Sequence, residues 1–408
     1  MSEQANPSRA SFAAAMSQHP DAATATGEVV GQVMEALAST GRAPDLALLF
    51  VTPPHVEALA DAAATVAAAL EPVTLLGVTA VSVVGGRHEI ERGPAVSLWA
   101  GHTGPLAPFH LSVVSTPDGP TFTGWPEVIP DDSPALLLLA DPFSFPVDAL
   151  LERLDQDRPG LAVVGGLASA ARAPGGNRLV FNDQVVTEGA VGAFLGAGVE
   201  IATIVSQGCR PVGTPLVVTK AEGNVVYELA GRPALERLQE VAATLSDDDR
   251  RLMSELVQLG RVIDETKLDF DRGDFLVRTV VGADPEVGAL AVGDVVDVGS
   301  TTQFQVRDAH SADEDLRHLV AERRADGALL FTCNGRGRNL FGTPDHDAGI
   351  VSDNLGGAPL AGMFCAGEIG PIGGHSFLHG FTASVVLFSV PGSERPPERE
   401  RRLDEDRP

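Results

Sequence analysis

A short stretch near the C-terminus concentrates the side chains that are most able to do chemistry. Residues 333–337 read Cys-Asn-Gly-Arg-Gly, and Gly367-Glu368 follows farther along the chain. Each group comes directly after an apolar run that predicts a strand buried on both faces. Polar side chains at the carboxyl ends of such strands face the crevice in which α/β proteins bind ligands. The pattern therefore predicts one ligand pocket at these strand ends.

The residue types in this stretch suit a ligand that carries a carboxylate and an amine. Glycines let backbone N–H groups approach a carboxylate closely. Arg336 or Arg210 would clamp that carboxylate with two hydrogen bonds, and Glu368 would accept a bond from the amine. The plainer alternative is that these residues only form turns and surface ion pairs. The predicted ligand-binding residues are Arg210, Cys333, Asn334, Gly335, Arg336, Gly337, Gly367, Glu368 and His375.

Cys333 is the only candidate for a catalytic residue. The neighbouring arginines could lower its pKa and make the thiolate a nucleophile. Such a nucleophile also needs a base, for which His375 and His379 are the nearest candidates in the sequence. The alternative is a buried thiol that acts as a small apolar side chain. The second interpretation is favoured, so the chain is expected not to be an enzyme.

Other catalytic and cofactor motifs are weak or absent in the sequence. His375 and His379 have the spacing of two metal ligands on one helix face, but the flanking glycines disfavour a helix there. The glycines at 335 and 337 do not form a GxxxxGK[ST] phosphate loop, and no GxSxG motif occurs. We therefore predict neither a metal nor a cofactor.

Three segments that would position these residues repeat one order of elements. Each has a buried strand, a connection, a second strand that ends in Gly and a third strand, which predicts mixed sheets with parallel first and second strands. The sequence thus predicts an α/β fold of repeated strand-helix-strand-strand units in two intimately packed domains. The first strands are predicted at 48–52, 137–141 and 329–333, the second at 73–77, 161–165 and 363–367, and the third at 95–99, 190–194 and 382–388.

Residues 202–310 follow a different pattern. They predict a hairpin, two amphipathic helices and three further strands. The hairpin is expected at 216–220 and 225–229, the helices at 233–245 and 247–259, and the strands at 275–281, 295–298 and 303–306.

Composition limits the class of partner. The 408 residues carry a formal net charge of −26, which disfavours nucleic acid and anionic membranes as partners. Three widely spaced cysteines suggest no disulfide framework. The sequence shows neither the apolar core of a signal peptide nor an apolar run long enough to span a membrane, so we expect a cytoplasmic protein.

The C-terminal motifs resemble those of the FIST family. Residues 209–213 (CRPVG) and 226–234 (VYELAGRPA) resemble the opening of a FIST C domain, and 331–337 (FTCNGRG), 364–371 (FCAGEIGP) and 379–382 (HGFT) resemble its end. The resemblance implies a FIST N domain at 27–202 and a FIST C domain at 203–390. The charged, Pro-rich composition of 391–408 predicts a disordered tail, and we expect residues 1–26 to form a flexible N-terminus. The sequence departs from the family at 77–82 (GVTAVS), where the family often has a Gly-Glu.

The resemblance implies a sensory protein that binds small ligands such as amino acids. The family occurs in signalling proteins and as the recognition part of certain F-box proteins. An interaction scaffold, which would need a large exposed apolar patch, is therefore an alternative. Because the sequence shows no output domain, a sensor of this kind would act through an unknown downstream signalling protein.

Overall fold

A computed structural model of the protein describes residues 11–117, 119–130, 133–321 and 323–392. Three repeated units and one inserted barrel account for its helices and strands, apart from short 3-10 turns at Ala38–Thr40, Pro53–Ala58 and Arg272–Asp274. Unit 1 comprises β1 (Phe12–Ser17), α1 (Ala22–Leu37), β2 (Leu46–Val51), α2 (Leu59–Leu70), β3 (Thr74–Thr79), β4 (Val83–Gly85), β5 (His88–Ile90) and β6 (Val96–Gly101). Unit 2 comprises β7 (Leu106–Thr116), β8 (Gly119–Thr123), β9 (Ala135–Ala140), α3 (Val147–Asp157), β10 (Ala162–Leu167), β11 (Leu179–Phe181), β12 (Gln184–Val186) and β13 (Ala190–Leu195).

Unit 3 is interrupted by the barrel. The barrel comprises β15 (Cys209–Pro211), β16 (Leu216–Glu222), β17 (Val225–Leu229), β18 (Arg232–Pro233), α4 (Ala234–Thr244), α5 (Asp247–Glu255), β19 (Gln258–Val262), β20 (Phe275–Asp284), β21 (Ala289–Val292) and β22 (Thr301–Arg307). Unit 3 itself comprises β14 (Glu200–Ser206) before the barrel and, after it, α6 (Ala309–Val320), β23 (Gly327–Cys333), α7 (Arg338–Phe341), α8 (His346–Asn354), β24 (Leu360–Cys365), β25 (Glu368–Ile372), β26 (His375–His379) and β27 (Ala383–Ser389).

The three units place their strands in the same order. The sheets read β1-β6-β2-β3, β7-β13-β9-β10 and β14-β27-β23-β24, with the last two strands of each parallel and the others antiparallel. The predicted repeat of mixed sheets is therefore confirmed, as is the α/β class of the fold.

Each unit lends a hairpin to the sheet of another unit. The hairpin β4–β5 of unit 1 extends the sheet of unit 3 through β24, β11–β12 of unit 2 extends that of unit 1 through β3, and β25–β26 of unit 3 extends that of unit 2 through β10. Sheet pairing therefore crosses residue 202, and the domain boundary predicted there stays a prediction.

The inner faces of the three sheets share one apolar core. Phe50, Leu137, Phe331 and Trp99 all contribute to it, whereas helices cover the outer faces and form separate cores there. Strands in such a sheet are buried on both sides, which explains their continuous apolar runs. Each large side chain that is fully buried here contributes about 1.5–3 kcal/mol of transfer free energy.

A glycine in each second strand permits close approach to the first strand. A Cβ on Gly77, Gly165 or Gly362 would lie 2.6, 1.9 or 1.9 Å from the carbonyl oxygen of Leu49, Leu138 or Leu330, respectively. The predicted repeat made Gly367 the equivalent of Gly77 and Gly165, and this was wrong. The equivalent residue of unit 3 is Gly362, because Leu49↔Gly77, Leu138↔Gly165 and Leu330↔Gly362 are the matching pairs of the parallel strands.

Residues 209–307 form a closed antiparallel barrel between β14 and α6. Closure results because β22 pairs with β15 and β16 along one edge and with β19 along the other. The predicted hairpin and both predicted helices are present, but the strand predicted at 295–298 is not. That segment follows β21 as a loop in which Val295 and Val298 are exposed, so apolar composition alone misled the prediction.

Ordered structure begins earlier than predicted. Residues 12–17 lay within the predicted flexible N-terminus, but they form β1, which pairs with β6 and buries Phe12 against Trp99 and Phe388. Residues 1–10 of that predicted segment lie outside the described residues, as do residues 393–408 of the predicted tail.

Candidate functional site

Arg336 is fully buried and is bound to a carboxylate of the protein itself. Its Nε and Nη2 donate to the two carboxylate oxygens of Asp347 at 2.7 and 2.8 Å, and Nη1 donates to the carbonyl oxygen of Phe381 at 3.4 Å. The guanidinium holds the pKa of Asp347 well below its usual range, despite the burial that would raise it. The clamp predicted for a ligand carboxylate is thus occupied by Asp347 at the start of α8.

Glu368 lies at one end of the shared core, fully buried at the start of β25. Its Oε2 accepts hydrogen bonds from the backbone N–H and the hydroxyl of Thr382, at 3.2 and 2.8 Å. Its Oε1 has no hydrogen-bond partner among the described residues. Burial raises the pKa of Glu368 to about 8, although the Thr382 bonds, the Cys333 thiol and Arg336 oppose that shift.

Cys333 is buried beside Glu368. Its sulfur lies 3.5 Å from the N–H of Gly335, yet burial and the nearby Glu368 raise the thiol pKa to about 12. A nucleophilic cysteine needs the opposite shift. The nearby Arg307 lowers the pKa of the thiol but does not offset the loss of solvation, so Cys333 is not an activated nucleophile in this structure.

The structure brings only part of the predicted site together. The Asn334 side chain is exposed, and Arg307 donates to the carbonyl of Gly335. The φ of Gly337 is +56°, and a Cβ there would meet the carboxyl of Glu91.

Two other predicted residues lie away from Glu368. Arg210 pairs with Asp249 of α5 and with Asp308, the latter at 3.1 Å. His375 lies at the far end of β26, where its Nδ1 is 2.7 Å from an oxygen of Asp155 on α3.

The repeats reveal which of these polar residues the fold does not require. Where the hairpin of unit 3 joins its neighbouring sheet, Glu368 pairs with Gly166. The equivalent pairs are Val83 with Met363 for the hairpin of unit 1 and Leu179 with Val78 for the hairpin of unit 2. Units 1 and 2 thus place apolar core residues where unit 3 has a glutamate.

The partner of Glu368 is also specific to unit 3. The carbonyl oxygen of Thr382 accepts a hydrogen bond from the N–H of Cys333, at the end of β23. In units 1 and 2 the carbonyl oxygens of Ala95 and Gly189 accept the equivalent bonds from Thr52 and Asp141. Neither Ala95 nor Gly189 has a side-chain hydroxyl. The pair Glu368–Thr382 therefore replaces two apolar positions.

A cleft separates the barrel from the hairpin β25–β26 and α3. An outer cavity of about 590 Å³ and a middle one of about 230 Å³ share Asp148, Arg278 and Asp294. The middle cavity shares Val277, His379 and Gly380 with an inner one of about 10 Å³, which Gln207 and Thr382 also line. The cleft thus runs from the surface to the residue that binds Glu368.

Buried carboxamides line the inner end of this cleft. Gln207 donates through Nε2 to the carbonyl of Phe275 at 2.8 Å, and Gln258 accepts through Oε1 from the hydroxyl of Thr279 at 3.1 Å. No described residue bonds to the other amide atom of each side chain, Gln207 Oε1 and Gln258 Nε2. Gln305 pairs with Gln258 between β22 and β19, and both of its amide atoms also lack a partner among the described residues. An unpaired buried polar group costs about 1–3 kcal/mol, and proteins rarely retain several without a use for them.

His379 contributes an acceptor at the same place. Its Nε2 lies 2.9 Å from the carbonyl oxygen of Gly370, so Nε2 carries the proton and Nδ1 has a free lone pair. Burial lowers the pKa of His379 to about 4, which keeps the ring neutral. His375 and His379 lie on the strand β26, so the metal-ligand spacing of a helix does not apply to them.

The mouth of the cleft is charged. Arg278 pairs with Asp294 at 2.8 Å, and His375 pairs with Asp155. Arg261 also lines the outer cavity and has no ion-pair partner among the described residues. Its guanidinium is therefore available to an anionic group.

Sequence reasoning missed the residues that line most of this cleft. It identified His375 and, indirectly, the neighbourhood of Glu368. Gln207, Gln258 and Arg261 went unnoticed, because they lie on separate strands that only the closed barrel brings together. The available signal was a pair of glutamines at alternate positions, Gln303 and Gln305, on either side of Phe304 in β22.

The described residues show neither a cluster of metal ligands nor a membrane-spanning helix. No group of three or more His, Cys, Asp or Glu in the part of the chain that the structure describes has an arrangement that would hold a metal ion. No helix within the same part is both long and apolar enough to cross a membrane.

Comparisons with known proteins identify the family. The FIST N domain matches residues 45–232 and the FIST C domain matches residues 234–371. An uncharacterized protein of Mycobacterium tuberculosis strain H37Rv is 47% identical over 379 residues, which cover 91% of this chain and 98% of that protein. An uncharacterized protein of Mycobacterium bovis is 47% identical over 376 residues, which cover 90% and 96%. Domains of this family are generally sensory and bind ligands in signal transduction. The chain belongs to the FIST family, and both of its characteristic domains are present.

Proposed function

We propose that this protein is a small-ligand sensor whose ligand, an amino acid or a similar carboxylate metabolite, binds in the cleft between the barrel and β25–β26. The observation that carries the proposal is the outer cavity of about 590 Å³, which Arg261 lines without an ion-pair partner among the described residues. An anionic group of a ligand would supply that partner.

The charges at the mouth suit the ionised end of an amino acid. Arg261 would bind the carboxylate, and the carboxylates of Asp148 and Asp297 lie in the same cavity to receive the ammonium group. The Arg336–Asp347 pair plays no part in this proposal, because both charges are already satisfied inside the protein.

A second cavity, of about 530 Å³, lies between β8 and α3 and includes Phe122 and Trp125. Arg153, the arginine that lines it, is already paired with Asp157. This cavity therefore gives no comparable reason to expect a ligand.

The position of the cleft suggests how binding would be transmitted. The barrel joins unit 3 through two adjacent connections, which meet where the N–H of Asp308 donates to the carbonyl of Gly208 at 3.2 Å. A ligand that contacts both the barrel and β26 would favour one separation of the two. The proposal includes a downstream signalling protein that reads this separation and a cytoplasmic location, which fractionation of the native cells would check.

Thermal-shift measurements with the twenty common amino acids, followed by calorimetry, test the proposal. A ligand at one hundred times its Kd should stabilise the protein by about 2.7 kcal/mol. Arg261→Met should weaken binding at least about tenfold. Arg153→Met is the matched control, since Arg153 is an exposed arginine that pairs with Asp157 and does not line the cleft. The absence of any saturable ligand, or equal affinities in all the variants, would refute the proposal.

A further inference from the structure

The face of α3 that lines the outer cavity is acidic. Asp148, Leu151, Glu152 and Asp155 all line this cavity, and their spacing of three or four residues places them on one face of the helix. Asp148 and Glu152 are one turn apart, where two like charges destabilise a helix. A cation between these two carboxylates would relieve their repulsion.

The opposite wall of the cavity, on the barrel, is basic. Arg261 of β19 pairs with Leu276 of β20, and Arg278 lies two residues farther along β20. Cross-strand partners and alternate residues of a strand share one face of a sheet, and all three of these residues line the cavity. Arg278 reaches across to α3, since its Nη2 lies 4.0 Å from an oxygen of Asp148. The acidic and basic walls therefore face one common space.

Two of the carboxylates that line this space are already paired. Nε of Arg278 lies 2.8 Å from an oxygen of Asp294, and Nδ1 of His375 lies 2.7 Å from an oxygen of Asp155. Five carboxylates and two arginines line the cavity. Three carboxylates and one guanidinium therefore remain.

The remaining carboxylates exceed the remaining positive charge. Glu152 and Asp297 have no ion-pair partner in the part of the chain that the structure describes, and Asp148 has only the longer contact with Arg278. Against these three carboxylates stands the guanidinium of Arg261. An amino acid with one ammonium group adds equal charges of both signs and would leave the excess in place. A ligand with a second cation would reduce it.

We infer that the ligand is a dibasic amino acid, of the lysine or arginine type, whose carboxylate binds Arg261 and whose side-chain cation lies between Asp148 and Glu152. Asp297 remains to receive the α-ammonium group. The inference rests on the proposed function. It narrows the ligand from amino acids in general to those that carry two cationic groups.

The rest of the cavity suits the aliphatic part of such a side chain. Leu151 on α3, Leu276 on the barrel and Phe377 on β26 line it between the charged groups. The methylene groups of lysine and arginine pack on apolar surface while their charged ends stay polar. The volume of about 590 Å³ lies within the range of small-molecule sites.

Ligands that differ in one charge give the sharpest test. Calorimetry of the full-length protein compares L-arginine with L-citrulline, in which an uncharged ureide replaces the guanidinium at nearly the same size. It also compares L-lysine with L-norleucine, which lacks the side-chain ammonium, and with cadaverine, which lacks the carboxylate. L-arginine or L-lysine should bind at least about tenfold more tightly than its analogues. This preference should shrink as the salt concentration rises, because salt screens partly exposed charges.

Variants locate the origin of that preference. The double variant Asp148→Asn, Glu152→Gln should reduce the ratio of arginine to citrulline affinity to about threefold or less, because only the cation contacts these carboxylates. Arg261→Met should weaken both ligands alike and keep the ratio, because both carry the same carboxylate. Asp157→Asn is the control, since Asp157 is on the same helix, pairs with Arg153 and does not line the outer cavity. It should change neither affinity, and circular dichroism would establish that all the variants are folded.

The outcomes separate this inference from the proposed function. If L-citrulline and L-norleucine bind as tightly as the dibasic amino acids, or if the double variant keeps the full preference, the inference is wrong and the sensor remains. If cadaverine binds as tightly as L-lysine, or if no amino acid binds at all, both the inference and the proposed function are refuted.

Discussion

Unit 3 follows the same path as units 1 and 2, yet it differs from them where the shared core ends. Units 1 and 2 place Val83 and Leu179 at the position where unit 3 has Glu368. Two of the three repeats thus show that the fold is complete with an apolar residue there. A carboxyl group that burial disfavours, opposite the hydroxyl of Thr382, is therefore an addition to the fold and not one of its requirements.

The same end of unit 3 also carries the barrel. The two features meet at Thr382, which bonds to Glu368 and lines the inner cavity of the cleft. The repeated sheets therefore form a scaffold, and unit 3 is specialised by the inserted barrel and by polar replacements at the end of the shared core.

Breaking the buried ion pair of unit 3 should have the largest effect. Asp347→Ala leaves the Arg336 guanidinium buried without its partner, which should lower the free energy of unfolding by about 3–5 kcal/mol in urea denaturation. Units 1 and 2 have His55 and Ser144 at the position of Arg336, so the pair belongs to unit 3 alone.

The exposed pair Arg153–Asp157 is the control for this experiment. Asp157→Ala should change the free energy of unfolding by less than about 1 kcal/mol. The combined replacement of Arg336 by Met and Asp347 by Leu should recover most of the lost stability. Equal effects of Asp347→Ala and Asp157→Ala would show that the buried pair contributes nothing special to unit 3.

The glycines of the second strands test what the units have in common. Gly362→Ala puts a Cβ 1.9 Å from the carbonyl oxygen of Leu330, so the two strands must separate. We expect the free energy of unfolding to fall by about 3 kcal/mol. In Gly367→Ala the new Cβ contacts only the flexible side chains of Leu378 and Leu167. The free energy of unfolding should therefore fall by only about 1 kcal/mol. A larger loss for Gly367→Ala than for Gly362→Ala would contradict the assignment of Gly362 as the equivalent of Gly77 and Gly165.

The sequence predicted the scaffold better than the site, for a physical reason. Burial on both faces leaves a continuous apolar run, so the first strands, including β23, could be located from local composition. The exchange of hairpins has no such local signal, since β4 is only three residues long and pairs with a distant strand. The alternation of Gln303 and Gln305 was visible, but their neighbour Gln258 is brought close only by barrel closure.

The partner of Arg336 could not have been predicted in the same way. Arginine at the end of a buried strand suits a ligand carboxylate and a protein carboxylate equally. Asp347 is eleven residues farther on, and it reaches Arg336 because α8 begins over the end of β23. The prediction that Arg336 binds a carboxylate was therefore correct, whereas the identity of that carboxylate depended on the tertiary structure.

Restoring the residues of the other units should separate stability from binding. The double variant Glu368→Leu, Thr382→Ala replaces the polar pair with the residues found in units 2 and 1. Because Glu368 Oε1 is unpaired, its removal should raise the free energy of unfolding at pH 8 by about 1–3 kcal/mol. Ligand affinity should fall, because Thr382 lines the inner cavity. A destabilised variant would mean that the fold of unit 3 depends on the polar pair, contrary to the comparison.

Per unit of pH, the change in stability should be the smallest of these effects, and its direction depends on the sign of one pKa shift. The pKa of Glu368 is raised from 4.5 to about 8 in the folded protein, because burial disfavours its ionised form. Between these values the folded state holds a proton that the unfolded state has released, so stability falls as the pH rises from about 5 to 8. One such group contributes a slope of up to about 1.4 kcal/mol per pH unit.

The buried Glu89, whose pKa is also raised to about 8, should add to the same slope in wild type and variant alike. The Glu368→Gln side chain still accepts a hydrogen bond from Thr382 but cannot ionise. The stability of this variant should therefore fall less steeply between about pH 5 and 8 than that of the wild type. Urea denaturation at several pH values measures both slopes. An identical slope in Glu368→Gln would mean that Glu368 releases its proton in the folded protein as readily as in the unfolded chain, and the carboxyl group would then be as well solvated as an exposed one.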